Sequence, residues 1–416
     1  MDTPADKVLI IGGGVAGLSA ACELALLNVG VDLVEKTDFL GGHGIQFACK
    51  ATEKCVGCGA CVVEEKLKNA VENSQINILL GTTVKDLTKA DRFSVTLHRR
   101  PEYIDPRKCT GCRTCFDRCP ADGALIRGFS QNNIPLYAIR KEKCLYFLDK
   151  SCSECENLCP EGAINLNARA TEYIAEADAV ILATGFKPFD PENKPYGYKL
   201  FKNVITNLDL ERMLRQQSRV HRPSDSQVPK SIAFVQCVGS RDSSLNHLWC
   251  SKVCCGSALR MARLIKARHP ETRMTIFYID VQTFGENFQS FYEGVQRDVR
   301  MVRAIPGEIF KAEKDNLQVN YYEARTGTPH QENFDMVVLS IGMNPSGDTK
   351  YLAELLNMEL AGSGYVGVAD GNGSAADNGI FATGTVLGPM SIDETVAHGG
   401  FTAWKTLKYL ERNHQR

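Results

Sequence analysis

Short apolar runs alternate along the chain with glycine-rich turns and helical segments. Residues 7–11 (Lys-Val-Leu-Ile-Ile) have the length and character of a buried parallel strand, and a helical segment begins at Leu18. Apolar runs at 31–34, 179–182 and 231–235 also match buried strands. This pattern predicts an α/β protein whose strands lie in parallel sheets.

The apolar stretch from residue 8 to residue 34 is too interrupted for a membrane span. Glu23, Asp32 and the three glycines at 12–14 break it, so it predicts a strand and a helix inside a folded domain. The first residues show no basic segment followed by an apolar core, and we therefore expect no signal peptide and a cytoplasmic location.

Composition and charge narrow the function. The 416 residues are 44% hydrophobic, which allows sizeable cores, and 48 basic against 49 acidic residues give a net charge of -1, which argues against nucleic-acid binding. There are 17 cysteines and only 8 histidines. In a reducing compartment disulfides are rare, so this many thiols predicts metal ligation by cysteine.

A dinucleotide fingerprint follows the first predicted strand. Residues 12–17 are Gly-Gly-Gly-Val-Ala-Gly, a Gly-x-Gly-x-x-Gly motif between strand and helix. Gly12 allows the tight turn, Gly14 lets the backbone approach a pyrophosphate, and Gly17 permits close helix–strand packing. Glu35 lies 18 residues after Gly17, where a carboxylate can accept a hydrogen bond from a ribose hydroxyl.

Two later segments, together with this motif, indicate a resemblance to a known superfamily. The strand at 179–182 ends in Ala-Thr-Gly (183–185), and residues 379–385 (Gly-Ile-Phe-Ala-Thr-Gly-Thr) precede a helix predicted near Ser391. The chain resembles the flavoproteins with two dinucleotide-binding domains, the thioredoxin and glutathione reductase superfamily, which implies FAD as cofactor. The implied FAD-binding residues are Gly12, Gly14, Val15, Ala16, Gly17, Glu35, Lys36, Gly41, Gly42, Val84, Ala183, Thr184, Gly185, Gly384, Thr385, Ser391 and Ile392.

Eight cysteines form a doubled ferredoxin pattern. Cys109-x2-Cys112-x2-Cys115-x3-Cys119-Pro is the bacterial ferredoxin run, in which the cysteine before proline ligates the other cluster of the pair. A second, longer-spaced half runs from Cys144 to Cys159-Pro. We assign one [4Fe-4S] cluster to Cys109, Cys112, Cys115 and Cys159, and the other to Cys144, Cys152, Cys155 and Cys119; four-cysteine zinc is the alternative.

A third cysteine set interrupts the predicted FAD domain. The spacing Cys49-x5-Cys55-x2-Cys58-x2-Cys61 places three thiolates within seven residues, where each can take a separate iron. This favours a [4Fe-4S] cluster near the flavin domain over zinc, which usually takes two separated Cys-x2-Cys pairs. Cys49 is the weakest ligand assignment of the four.

A fourth set stands where the superfamily's second nucleotide-binding domain begins. After the strand at 231–235 the chain has Gln-Cys-Val-Gly-Ser-Arg-Asp in place of a second Gly-x-Gly-x-x-Gly. Cys237-x12-Cys250-x3-Cys254-Cys255 follows, and a vicinal disulfide between Cys254 and Cys255 is the alternative to a cluster. The remaining Cys22 is predicted to be a small buried hydrophobe.

These last motifs point to a narrower family. Gln-Cys-Val-Gly-Ser-Arg-Asp and Cys-Ser-Lys-Val-Cys-Cys resemble the A-type subunits of heterodisulfide reductases, of quinone-interacting oxidoreductase and of class II benzoyl-CoA reductase complexes. The resemblance implies an unusual cluster beside the flavin at Cys237, Cys250, Cys254 and Cys255. The lysine that the family places near flavin N5 is Arg260 here, which has no readily removable proton.

Together these features predict a function and a domain plan. We expect a Rossmann-type FAD domain (1–100, 166–205 and 355–416), a ferredoxin-like 2[4Fe-4S] insert (101–165) and a second α/β domain like the NAD-binding domain (206–354). The chain would be an FAD- and [4Fe-4S]-containing oxidoreductase subunit with about four clusters. It would relay electrons, with or without bifurcation, within a hetero-oligomer of B/C-like or electron-input subunits and ferredoxin. The alternative is a stand-alone NAD(P)H-dependent disulfide or thioredoxin-type reductase.

Overall fold

The structure, a computed structural model, describes residues 6–282, 288–367 and 378–414 as a mixed α/β protein. Its strands, numbered in chain order, are β1 (Lys7–Ile11), β2 (Gly30–Val34), β3 (Ile76–Leu79), β4 (Thr82–Lys89), β5 (Phe93–Arg99), β6 (Leu125–Arg127), β7 (Tyr137–Ile139), β8 (Thr171–Ala177), β9 (Ala179–Leu182), β10 (Phe186–Pro188), β11 (Val204–Thr206), β12 (Ser231–Val238), β13 (Arg273–Tyr278), β14 (Arg300–Arg303), β15 (Pro306–Lys311), β16 (Leu317–Glu323), β17 (Thr328–Phe334), β18 (Met336–Ile341), β19 (Met343–Pro345) and β20 (Ile380–Ala382). Its helices are α1 (Val15–Leu26), α2 (Ala60–Glu72), α3 (Thr114–Asp117), α4 (Leu145–Asp149), α5 (Glu154–Leu158), α6 (Asn207–Gln217), α7 (Cys254–Arg268), α8 (Phe288–Gln296), α9 (Thr349–Leu355) and α10 (Ile392–His414). None of the helices in these ranges is long and apolar enough to cross a membrane.

The first domain is built on a five-stranded parallel sheet in the order β20-β9-β1-β2-β3. Helices α1 and α10 pack together on one face, where Leu18 and Leu24 of α1 join Ala403 and Leu410 of α10 in a buried core. The antiparallel sheet β4-β5-β8 covers the other face, with Phe93 completely buried. The continuous apolar runs are explained by this burial on both faces.

The ferredoxin-type cysteines lie in an excursion between β5 and β8. These two strands pair antiparallel from Phe93↔Ala177 to Arg99↔Thr171, so the chain leaves and re-enters the domain at neighbouring positions. The excursion holds the ribbon β6–β7 and the short helices α3, α4 and α5. Its own small core includes Ile104, Tyr137 and Leu166.

The second domain is another parallel sheet, in the order β11-β18-β12-β13-β14. Helices α6 and α7 bury one face, and the antiparallel sheet β15-β16-β17 packs on the other through residues such as Leu317 and Val319. The two-stranded ribbon β10–β19 connects the domains.

Two elements lie on the other side of the expected domain boundaries. Strand β11, expected to end the FAD domain, pairs with β18 of the second sheet. Helix α9, expected in the second domain, buries Leu352 and Ala353 in a core of the first domain. Both elements are short, and the domain to which each belongs is decided by its packing partners.

Candidate functional site

A cleft of about 1240 Å³ opens at the carboxyl ends of β1, β9 and β18, between the two domains. Its wall includes the turn after β1, the turn after β9, and the first turns of α6, α7 and α10. Carboxyl ends of parallel strands are the usual ligand site of such sheets, because helix N-termini and turn amides meet there.

The glycine fingerprint shapes one wall of the cleft. A Cβ on Gly12 (φ +116°) would lie 2.3 Å from the carbonyl oxygen of Ala183, and one on Gly17 would lie 1.9 Å from the carbonyl oxygen of Gly12. Both positions therefore exclude a side chain on steric grounds. Gly14 differs, because a Cβ there meets only the Cα of Gly42 at 4.0 Å. The backbone at Gly14 is thus open toward the cleft.

The acid at the end of β2 is held rigidly. Glu35 is buried, its Oε2 accepts the Gly13 N–H at 2.8 Å, and its Oε1 accepts the N–H and the hydroxyl of Thr37 at 2.8 and 2.7 Å. Its carboxylate lines the cleft with remaining acceptor capacity. Lys36 lies beside it and pairs with Asp348 across the cleft wall.

Two buried polar atoms in the cleft wall have no protein partner in the described part of the chain. They are Nδ1 of His43 and Oγ1 of Thr184. Burial lowers the pKa of His43, so the ring is neutral near pH 7. Orphaned polar atoms beside an open glycine turn and a fixed carboxylate fit a bound dinucleotide, which offers both donors and acceptors.

Most residues predicted to bind FAD lie on this cleft. Those on its wall are Gly12, Gly14, Val15, Ala16, Glu35, Lys36, Gly42, Val84, Ala183, Thr184, Gly185, Thr385, Ser391 and Ile392. Three predicted residues, Gly17, Gly41 and Gly384, do not line it. Gly41 and Gly384 have positive φ, and a Cβ on them would strike Ile45 and Ala16 at 2.5 Å, so these glycines permit close backbone packing behind the wall.

The far end of the cleft is closed by the first turn of α10. Ser391 and Glu394 cap this helix reciprocally: the Ser391 N–H donates to Glu394 Oε2 at 2.8 Å, and the Glu394 N–H donates to Ser391 Oγ at 3.1 Å. Lys252, from the loop before α7, pairs with Glu394 at 2.5 Å. This ion pair joins the segment that carries the fourth cysteine set to helix α10 of the first domain.

The fourth cysteine set surrounds the start of α7. Cys254 and Cys255 are its first residues and are buried, while the next turn, with Gly256, Ser257 and Arg260, lines the cleft. Burial, and then the thiolate of Cys255, raises the pKa of Cys237 to about 12. A hydrogen bond from Cys254 lowers the pKa of Cys255 to about 7. The set is therefore brought together directly behind the cleft wall.

The ferredoxin excursion brings its thiols close to one another. A small cavity of about 20 Å³ is lined by Cys109, Cys112, Cys115 and Cys159. Burial, followed by the thiolates of Cys144, Cys115, Cys119 and Cys152, raises the pKa of Cys155 to about 12. Three of these neighbours, Cys144, Cys119 and Cys152, belong to the predicted set of Cys155, whereas Cys115 belongs to the other set, so the crossed ligation stays a prediction.

The third cysteine set is the most open of the four. Cys49, Cys55 and Cys61 are exposed, whereas Cys58 lines the cleft. Arg260 reaches across the cleft and donates from Nε to the carbonyl oxygen of Val56 at 2.9 Å. Throughout residues 6–282, 288–367 and 378–414, no three Cys, His, Asp or Glu side chains are placed to hold one metal ion.

One feature of the cleft has no signal in the sequence. Lys50 and Glu211 form an ion pair at 2.5 Å, both almost completely buried and both on the cleft wall. The N–H of Ala48 also donates to Glu211 at 3.1 Å. Burial raises the pKa of Glu211, and the Lys50 ammonium opposes this shift. The partners are 161 residues apart, and neither residue lies in a recognisable motif.

Comparisons with known proteins agree with this geometry. The family described as "NAD(P)-binding Rossmann-like domain" matches residues 10–52, and the family described as "4Fe-4S binding domain" matches residues 102–123. The second match confirms that the excursion is of the [4Fe-4S]-binding type and contains the first ferredoxin run. The predicted combination of a Rossmann-like and a ferredoxin-like domain is therefore confirmed.

Solved structures define the class. Thioredoxin reductase from T. acidophilum aligns with 97% of this chain and 98% of its own length, with a TM-score of 0.55 and 15% identity. Thioredoxin reductase from Lactococcus lactis aligns with 98% of this chain and all of its own length, with a TM-score of 0.55 and 16% identity. The chain thus has the two-domain fold of the thioredoxin reductases, as predicted.

Curated relatives narrow the class to one kind of subunit. The chain is 32% identical, over 96% of its length, to the A-type subunit of the H(2):CoB-CoM heterodisulfide,ferredoxin reductase of Methanothermobacter marburgensis. It is 33% identical, over the same share, to an iron-sulfur A-type subunit of the CoB–CoM heterodisulfide reductase of Methanopyrus kandleri. The resemblance to the A-type subunits of heterodisulfide reductases is confirmed. The chain spans about 63% of the length of these two relatives.

Proposed function

We propose that this chain is an FAD- and [4Fe-4S]-containing electron-transfer subunit of a heterodisulfide-reductase-like complex. It would relay electrons between a two-electron donor or acceptor and one-electron carriers such as ferredoxin. The observation that carries the proposal is the composition of one cleft wall: the dinucleotide fingerprint, Cys58, and the helix turn that follows Cys254 and Cys255 all border the same space.

The residues around the cleft have distinct tasks in this proposal. The turn at Gly12 and Gly14 and the first turn of α1 would hold the pyrophosphate, and Glu35 would bind the ribose. When bound, FAD supplies the exchange between two-electron and one-electron carriers. Arg260 would keep a positive charge at the flavin end, held by its bond to Val56. Because a guanidinium does not give up its proton, Arg260 would act on the flavin through its charge, and the relay is proposed with or without bifurcation.

The cysteine sets would hold four [4Fe-4S] clusters with about sixteen irons in all. Their ligands are Cys49, Cys55, Cys58 and Cys61; Cys109, Cys112, Cys115 and Cys159; Cys119, Cys144, Cys152 and Cys155; and Cys237, Cys250, Cys254 and Cys255. The third and fourth sets lie against the cleft and would exchange electrons with the flavin. The ferredoxin pair would connect the flavin domain to partners.

The names of the relatives support the partners. An A-type subunit works with other subunits, and the relative from Methanosarcina mazei, 32% identical over 97% of this chain and 53% of its own length, is named as the A-type subunit of a ferredoxin:CoB-CoM heterodisulfide reductase. We propose B- and C-like or electron-input subunits and ferredoxin as partners, in a cytoplasmic hetero-oligomer. The thioredoxin reductase fold favours one second candidate, a stand-alone NAD(P)H-dependent reductase.

The decisive experiment removes one cluster ligand. The purified protein should contain about one FAD and about sixteen irons per chain, and Cys255→Ser should lose about four irons while FAD and the ferredoxin-type magnetic signals stay unchanged. Electron exchange between flavin and the remaining clusters should slow by orders of magnitude. The matched control is Cys22→Ser: Cys22 is a buried thiol on α1 whose pKa burial raises to about 11, and its loss should remove no iron.

Two results would contradict the proposal. If each chain contains stoichiometric zinc and fewer than about eight irons, the two cysteine sets outside the ferredoxin excursion do not hold [4Fe-4S] clusters. A Cys255→Ser protein with full iron and normal partner-coupled turnover would show that the vicinal cysteines are structural.

A further inference from the structure

Two side chains in the second domain are buried without a hydrogen-bond partner. Gln236 is 5% exposed, and neither its Nε2 nor its Oε1 has a partner within the described residues; Ser340 is 1% exposed, and its Oγ is also unpaired there. A buried amide that makes no hydrogen bond is costly, so such a group in a well-packed protein usually has a partner that is not part of the chain.

These two side chains lie side by side on one face of the sheet. Strands β12 and β18 pair at Val235↔Leu339 and again at Val238↔Ile341, with an irregularity between, which places Gln236 next to Ser340. Gln236 shares its face with Phe234, whose side chain joins the core formed with α7. Ser340 shares the corresponding face of β18 with Val338 of the same core. Both unpaired groups therefore face the α7 side of the sheet.

The fourth cysteine set lies on the same side of the sheet, at the carboxyl ends of these strands. Gln236 and Ser340 stand at the carboxyl ends of their strands, the level at which α7 begins with Cys254 and Cys255. Cys237 follows Gln236 directly and has a positive φ of 60°, which turns the chain out of the strand. The Cys255 thiolate is close enough to Cys237 to raise its pKa.

The polar groups of the adjoining loop, by contrast, have hydrogen-bond partners. In the adjoining loop the hydroxyls of Ser240 and Ser251 bond each other at 2.6 Å, and Ser251 also accepts the Met343 N–H at 2.8 Å. The Trp249 Nε1–H donates to the carbonyl oxygen of Met343 at 3.0 Å. The loop satisfies its own polar atoms, while the pair beside the cysteines does not.

We propose that Gln236 and Ser340 donate hydrogen bonds to sulfur atoms of a [4Fe-4S] cluster held by Cys237, Cys250, Cys254 and Cys255, and that these bonds set its reduction potential. The inference rests on the proposed cluster at this set. The sulfur atoms of a negatively charged cluster accept hydrogen bonds, and apolar side chains cannot donate them. The amide N–H of Gln236 and the hydroxyl of Ser340 can. Because reduction adds negative charge, each donor stabilises the reduced form more than the oxidised form and raises the potential.

The test replaces Gln236 by leucine, which keeps the volume and removes both polar atoms. Iron and FAD content should match the unchanged protein, and the magnetic signal that disappears in Cys255→Ser should titrate at lower potential. We expect the one-electron equilibrium to shift about tenfold toward the oxidised form, which corresponds to about 59 mV. The exchangeable-proton coupling of that signal, measured by electron–nuclear double resonance in H2O and D2O, should weaken.

Control and second variants keep the test decisive. Gln318→Leu, on β16 away from the cysteines, removes an amide whose Nε2 bonds Asn320 at 3.2 Å and should leave every potential unchanged. Ser340→Ala should lower the same potential by a smaller amount, and it carries the test if Gln236→Leu loses iron. Unchanged potential and proton coupling in the variant that retains iron would overturn the proposal and assign the amide to a buried water. If the unchanged protein shows no magnetic signal that Cys255→Ser removes, the cluster itself is refuted.

Discussion

Gly14 shows how a single residue can serve a ligand without serving the fold. Gly12 and Gly17 are required by backbone contacts of 2.3 and 1.9 Å, so substituting them would damage the domain whether or not a cofactor binds. Space in front of Gly14 is open, with the nearest atom 4.0 Å away. A side chain at Gly14 is therefore tolerated by the protein and excluded only by a pyrophosphate.

Replacing Gly14 by valine should abolish FAD retention and leave the protein folded. We expect the flavin absorbance to be lost while the iron content and the thermal unfolding transition stay unchanged, as measured by absorbance and calorimetry. Gly294→Val is the control, because a Cβ at Gly294 on α8 meets nothing within 4 Å and Gly294 does not line the cleft. Full yellow colour in Gly14→Val would place the FAD site elsewhere.

Removing one residue of the Lys50–Glu211 pair should lower the free energy of unfolding. Glu211→Leu would leave the Lys50 ammonium buried and unpaired, and such a loss costs about 3–5 kcal/mol. The double variant Lys50→Met with Glu211→Leu removes both charges and should recover most of the stability. Urea midpoints of the three proteins, at equal FAD and iron content, measure this. A double variant as unstable as the single one would contradict the account.

At the scale of elements, the connection from β12 to α7 distinguishes this chain from its structural neighbours. A nucleotide-binding domain has a short glycine turn here, and its helix N-terminus binds the pyrophosphate. In this protein residues 239–253 form a long loop instead, and the first helical residues are Cys254 and Cys255. A Cβ on Gly239 would lie 2.2 Å from the Phe189 ring, so this glycine packs against the protein.

We therefore expect NADH alone to reduce the flavin poorly. No glycine turn is present between β12 and α7 to hold its pyrophosphate, so stopped-flow mixing of NADH with the isolated protein should give slow and incomplete bleaching near 450 nm, roughly where oxidised flavins absorb. A chemical reductant should bleach the flavin fully and provides the control. Rapid stoichiometric bleaching by NADH would favour the stand-alone reductase.

What the sequence could predict follows from how local each signal is. The first Rossmann unit was predictable because its strand, glycine turn, helix and terminal acid are contiguous, and the cysteine sets because their spacing is local. The domain to which β11 and α9 belong could not be predicted, since each element is short. Strand β11 pairs with β18 more than a hundred residues later, and α9 is placed by the core it packs into. The Lys50–Glu211 pair was missed for the same reason, being a contact between positions with no motif.

Across the whole molecule, one guanidinium joins the cysteine-bearing units. Arg215 on α6 of the second domain donates to the carbonyl oxygen of Phe47 at 3.0 Å, before the third cysteine set, and to that of Phe129 at 2.8 Å, in the ferredoxin excursion. It also pairs with Glu64 on α2. Arg215 therefore contacts three regions that are distant from one another in the chain.

Arg215→Met should loosen this junction without unfolding any domain. Hydrogen bonds to a charged group contribute about 1.5–3 kcal/mol, so amide exchange in segments 46–50 and 128–133 should accelerate by about tenfold or more. Exchange in the central strands should not change. Arg219→Met, an exposed arginine just beyond α6, is the matched control. Unchanged exchange in both segments would show that other contacts hold the junction.

The pairing of β5 with β8 has a consequence for how the protein is made. Both ends of the ferredoxin excursion are fixed by paired residues of one sheet, and the entropy of closing such a loop depends only weakly on its length. We therefore expect the sheet β4-β5-β8 to form whether or not iron has been inserted. Cluster delivery would then be a late step of maturation on a chain that is already folded, and a shortage of iron would leave a folded scaffold without its clusters.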